Sequence, residues 1–165
     1  MRDPGVFQKA HEFLRPQCNR FSFAIAMCDL EGCGKEKKLP REKIEELIEQ
    51  RLQSNGWNDR AMAIVIDPEL EAWVWVDRRA LSDQTGWLDG EASLRNWLME
   101  RSLIKTHQAK PDRPKECLQR VLRQTNKSRS SALFSALGRM ADTTSCTDPA
   151  FAKLVSQLQR WFPPR

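Results

Sequence analysis

The sequence has no tyrosine and only two histidines, His11 and His107, which stand far apart in the chain. Neither lies near a serine or cysteine that could serve as its nucleophile, so triad and Cys/His catalysis are not expected. The five cysteines, Cys18, Cys28, Cys33, Cys117 and Cys146, are odd in number and include no CxxC pair. That set argues against a disulfide framework and against a four-ligand zinc site. Cys28 reads instead as a small buried hydrophobe at a strand end. There is no Walker A loop and no GxGxxG fingerprint, which leaves the common nucleotide folds without their phosphate cradle. No apolar run approaches the roughly 18 residues of a membrane span, and the N-terminus MRDPGVFQKAHEF carries no signal-peptide core. A cytoplasmic chain without a membrane partner is the expectation.

What is present suits a single globular domain: 165 residues, 40% hydrophobic and 30% charged. A chain of this length can bury a core without crosslinks. Its net charge of +5 conceals a division. Residues 1–91 hold 13 Lys/Arg against 17 Asp/Glu, whereas residues 92–165 hold 14 against 5. A basic half of this kind suits nucleic acid or another acidic partner, or is simply a solvated surface.

Apolar periodicity predicts a helix over residues 6–15 and a buried strand over 21–28, followed by a Gly- and Lys-rich loop to Pro40. Ile44, Leu47, Ile48 and Leu52 make one stripe of a charged helix over 41–53, and AMAIVI at 61–66 reads as a second buried strand. Strand, helix, strand is a βαβ unit, most simply parallel. Asp67-Pro68 reads as a helix start, with Glu69 and Glu71 in the first turn. Further helices are predicted over 91–100, 114–124, 130–141 and from Asp148-Pro149 to Trp161. The expected architecture is therefore one α/β domain over 1–165. It has a short, mainly parallel sheet with flanking helices in an acidic part (1–91), and a basic helical part (92–165).

Two acidic groups follow the strands. Asp29 and Glu31, in DLEGCG, stand just past the first strand, where parallel sheets hold ligands, and such a pair can converge on Mg2+. The same residues also fit an ordinary acidic turn. Asp67, Glu69 and Glu71 follow the second strand; Asp67 fits a cap, and Glu71, beside Trp73 and Trp75, is the better ligand candidate. Trp73, Trp75, Trp87, Trp97 and Trp161 read mostly as core, with stacking on bases or on a partner as the alternative. Arg101, Lys105, Lys110, Arg113, Lys115, Arg120, Arg123, Lys127 and Arg129 form a dense basic set suited to phosphates.

The segments HEFLRP (11–16), CDLEGCG (28–34), NGW (55–57), IDPELEAWVW (66–75), RPKE (113–116) and SSALF (130–134) resemble a family of small bacterial proteins encoded with methylation-associated phage-defence systems. That family is similar to the TOPRIM-like group. The resemblance implies a parallel α/β domain with a glutamate after its first strand and an acidic D-x-D pair after a later one, binding Mg2+ for phosphodiester chemistry. Asp29 and Glu31 would take the place of the pair, as D-x-E, and residues 1–20 hold no counterpart of the glutamate-bearing strand, so the resemblance implies either a chain that begins late or one that is not a nuclease. Two functions follow as expectations. One is a divalent-metal-dependent nuclease with Asp29, Glu31 and Glu71 as catalytic residues. In it Asp29, Glu31, Glu69 and Glu71 hold Mg2+ or Mn2+, and Lys110, Arg113, Lys115, Arg120, Arg123, Lys127 and Arg129 hold a nucleic-acid backbone. The other is a non-catalytic interaction subunit that docks onto another defence protein.

Overall fold

The computed structural model describes residues 5–144 and 146–164. It is an α/β chain, mostly helical, with one two-stranded parallel sheet among the described residues. In order, its main elements are α1 (Gly5–Leu14), β1 (Ala24–Asp29), α2 (Arg41–Leu52) and β2 (Ala61–Ile66), followed by α3 (Arg78–Thr85), α4 (Gly90–Glu100), α5 (Pro114–Gln124), α6 (Ser131–Met140) and α7 (Pro149–Trp161). The chain divides into two compact units, Met1–Leu70 with Pro149–Arg165, and Glu71–Asp148. In the sequence, length and the absence of a dividing linker point to one domain. The division also cuts across the charge asymmetry: the first unit carries 14 Lys/Arg against 12 Asp/Glu, the second 13 against 10.

In the first unit β1 and β2 run parallel, from Ala24 opposite Ala61 to Asp29 opposite Ile66. The stripe expected on α2 is the part that turns inward, as Ile44, Ile48 and Leu52 are buried against Phe7, Ala24, Ala26, Trp57, Ala63 and Val65. Alanines on the strands let the helices approach closely, which is how so short a sheet can be covered. Past α2 the helix widens into a π turn over Gln53–Trp57 and ends where Gly56 takes φ +93°. A Cβ there would come within 3.3 Å of Cys18 Sγ, so both conformation and space favour glycine. Arg60 then donates to the carbonyls of Cys18, Phe21 and Gly56 at 3.1 Å, fastening the chain that leads into β1.

The outer edge of β2 is closed by side chains. The N–H groups of Ala63 and Val65 donate to Glu49 and Glu45 of α2, each at 2.9 Å, and Lys153 Nζ of α7 donates to the Ala63 carbonyl at 2.9 Å. Lys153 also bonds both glutamates, at 2.7 and 3.0 Å, and Arg41 bonds Glu45 at 2.8 Å. Glu45 is 3% exposed. A buried carboxylate is tolerable there because two cations and a main-chain N–H saturate it.

The second unit packs α3, α4, α5 and α6 around Trp75, Leu81, Leu94, Leu98, Leu118 and Val121. Trp75, in a 3-10 turn over Leu70–Trp75, donates its Nε1 to the Pro114 carbonyl at 3.1 Å. The predicted start at Asp67-Pro68 is corrected. Pro68 follows a cis bond and lies outside the turn, which begins at Leu70, so Glu69 is not in a first turn. Helix α3 was not expected at all. Two further positions also differ: Cys28 is only half-buried, and the buried thiol of that segment is Cys33. No helix among the described residues is long and apolar enough to cross a membrane.

Candidate functional site

Of the acidic residues of the first unit, Asp29 and Glu31 stand together at the end of the sheet. Asp29 closes β1, and its Oδ1 accepts the Leu70 N–H at 2.9 Å. The N–H groups of Leu30 and Glu31 donate to the Ile66 and Pro68 carbonyls at 2.8 and 2.9 Å, which binds the loop after β1 to the chain leaving β2. Gly32 and Gly34, at φ +95° and +82°, turn the loop back so that Cys33 is buried. The result is a hollow of about 370 Å³ lined by Asp29, Glu31, Gly32 and Cys33 together with Val6, Met27, Cys28, Ile66 and Leu70. Glu31 is exposed, whereas Glu69 is 8% exposed and does not line the hollow.

Glu71 belongs to the second unit and has a different environment from the one expected of a ligand. It is 2% exposed, and its Oε1 accepts from Arg129 Nη2 at 2.7 Å. Arg129 also lies over the Phe134 ring, 5.0 Å from its centroid. Two residues expected in separate roles, metal ligand and phosphate contact, are thus partners in one ion pair holding the Leu70–Trp75 turn to the start of α6. Among the described residues no group of three or more His, Cys, Asp or Glu could hold a metal ion.

The basic set is similarly divided. Lys110 pairs with Asp148 at 3.2 Å, Arg113 with Glu116 at 2.8 Å and Arg101 with Glu100 at 3.7 Å. Lys115 is half-buried. Lys105, Arg120, Arg123 and Lys127 are exposed and have no carboxylate within ion-pair distance among the described residues. The last three form a row along α5 and just beyond it. The buried side of that helix, Cys117, Leu118, Val121 and Leu122, fixes its orientation and turns Arg120 and Arg123, one helical turn apart, to solvent. The Lys127 N–H bonds the Leu122 carbonyl at 2.9 Å, and its stem runs beside Gly86.

Of the tryptophans, Trp57 and Trp75 are 1% exposed and Trp73, Trp87, Trp97 and Trp161 are partly buried. The chemistry-bearing residues that the sequence reading passed over are Glu45, Glu49 and Lys153. Their signal was present: two glutamates each directly follow a buried isoleucine of α2, Ile44 and Ile48, which puts them at the border of its apolar stripe. No protein-family model matches the chain, and no curated protein and no solved structure matches it.

Proposed function

We propose that the protein binds the phosphate backbone of a nucleic acid through the solvent face of α5, as a component of a phage-defence system of the kind its motifs resemble. The observation that carries this reading is the row Arg120, Arg123 and Lys127: exposed, of one sign, and without a carboxylate partner where neighbouring cations have one. Guanidinium groups on a rigid helix lose little freedom on meeting phosphate, and each contact releases condensed counterions. Binding by this face is sequence-tolerant, since it reaches backbone rather than base edges. The test is fluorescence anisotropy with a labelled 20-base-pair DNA over a series of salt concentrations. Arg120→Ala with Arg123→Ala and Lys127→Ala should flatten the slope of log K against log salt by about 2 to 3. An unchanged slope, or no salt-dependent binding by the parent protein, overturns the reading.

A second reading is favoured by the hollow at the end of β1. There Asp29 and Glu31 would hold Mg2+, with Mn2+ as substitute, in a TOPRIM-like nuclease. Mg2+ takes only one or two carboxylates and fills its remaining positions with water and substrate phosphates, so this pair meets the minimum donor set. When bound, the ion would supply charge neutralisation at a phosphodiester. The role left to this chain's own residues is to present the two carboxylates from a loop fixed by the Leu30, Glu31 and Leu70 hydrogen bonds. Calorimetric titration of Mg2+ and Mn2+ into the parent and into Asp29→Asn/Glu31→Gln tests it. Heat lost in the double variant supports this reading, and no heat with the parent removes it.

A further inference from the structure

The two edges of the sheet in the first unit are unlike. On β2 the N–H groups of Ala63 and Val65 and the Ala63 carbonyl point away from β1, and charged side chains meet all three. Main-chain groups alternate along a strand, so Met62, Ile64 and Ile66 face β1. The bond from Leu30 N–H to the Ile66 carbonyl sets the same alternation on β1, with Ala26 and Cys28 turned inward and Ile25 and Met27 outward. Among the described residues nothing hydrogen-bonds the main chain of Ile25 or Met27.

Beside this open row lies a groove of about 460 Å³, formed by Ile25, Ala26 and Met27 and walled by Val6, Lys9, Ala10 and Phe13 of α1. Phe13 is 79% and Met27 37% exposed. Proteins usually blunt a bare edge with a proline, a bulge, a charge or a covering element, and β1 has no proline and no charge before Asp29. We propose that the outer edge of β1 accepts an extended segment of a partner protein as a third strand. Alternate apolar side chains of that segment lie along Val6, Ala10 and Phe13, and a lysine or arginine at its end reaches Glu31 and Asp29.

Charge complementarity selects this occupant. The groove adjoins the hollow that contains Asp29 and Glu31, sharing Val6 and Met27 with it, so a stretch whose one charged lining residue is Lys9 ends at carboxylates. A segment without a helix of its own fits beside α1, whereas a second copy would bring another α1 to the same slot. Main-chain hydrogen bonds would provide affinity, and the alternate side chains and terminal cation would provide choice of partner. This surface is separate from α5, and its failure would leave the nucleic-acid reading untouched.

The probe is a nine-residue peptide of alternating valine and threonine with lysine at both ends, added to the isotope-labelled full chain while amide exchange is followed by NMR. The Ile25 and Met27 amides should become protected, and Glu31→Gln should weaken binding several-fold. N-methylation of the peptide amides on one alternating set should abolish binding, and on the other set should spare it. Equal binding by both N-methylated peptides would mean that the groove takes side chains without strand pairing, which overturns the proposal, as does no binding. Concentration-dependent dimerisation without peptide, protecting the same two amides, would replace the partner by a second copy and also overturn it.

Discussion

Glu45 is buried and bonded to Arg41, Lys153 and the Val65 N–H, so its removal should cost more than that of any surface carboxylate. Glu45→Ala leaves the Val65 N–H without its acceptor and strips Lys153 and Arg41 of their shared counter-charge. The expected loss is about 3 kcal/mol by urea unfolding. Lys43→Ala breaks a pair with Glu46 whose side chains are 46% and 49% exposed, and should cost under about 1 kcal/mol. Equal losses would mean that the β2 edge does not depend on this carboxylate. At the same scale, burial pushes the Cys117 thiol from its ordinary 9.0 up to about 11, the Glu116 and Asp112 charges adding to this and Arg120 opposing it. The neutral thiol is favoured in the fold, so its contribution to stability holds below pH 9 and declines between 9 and 11, where the unfolded thiol has already ionised. Native protein at pH 8 should react with a thiol reagent at the half-buried Cys18, Cys28 and Cys146 and be slow at Cys33 and Cys117, as resolved by peptide mapping.

Elements were legible where period and punctuation agreed. The stripe of α2, the apolar run of β2 and the Pro-started α5 all lie within a residue or two of expectation, because burial on one side imposes the pattern that was read. Helix α3 was missed because RRALSDQT has no long stripe; its signals are at its ends, Asp77 as N-cap and Gly86 in the left-handed conformation after it. The Asp67-Pro68 start failed for the converse reason, since a capping pair is only a local preference and tertiary context placed it before the turn. The candidate site was legible as residue types and not as partners: nothing in the spacing of Glu71 and Arg129 foretells their ion pair. Asp77 yields the prediction at this scale. Burial pushes its carboxyl up, and the N–H groups of Ala80, Asp142 and Arg79 outweigh that, so it lies below the ordinary 3.8. A carboxylate depressed in the fold stabilises above the unfolded value and loses that contribution as pH falls through the folded one. Asp77→Ala should cost about 1 to 2 kcal/mol at neutral pH, and the difference from the parent should shrink below about pH 4 in acid unfolding series.

For the whole molecule, the order of the chain matters as much as its elements. The second unit is an insertion between β2 and α7 of the first, and its two ends are tied by the Trp73 Nε1 bond to Asp148 at 3.1 Å. Unit 1 therefore awaits the last residues of the chain before it is complete. Until α7 arrives, Glu45 and Glu49 lack the Lys153 ammonium, and the Ala63 carbonyl lacks its donor. Phe23, which leads into β1, also lacks the Trp161 ring it stacks on at 4.5 Å. Unit 2 has its own core from Trp75 to Leu137 and needs none of these contacts. A chain ending after Asp148 should consequently keep slow amide exchange at Leu94, Leu98, Leu118 and Val121, and lose it at Ala63, Ile64 and Val65. Hydrogen exchange resolved by residue measures both at once. Protection retained at β2 would show that the two glutamates hold its edge without Lys153, and protection lost in both units would show that they fold as one cooperative block.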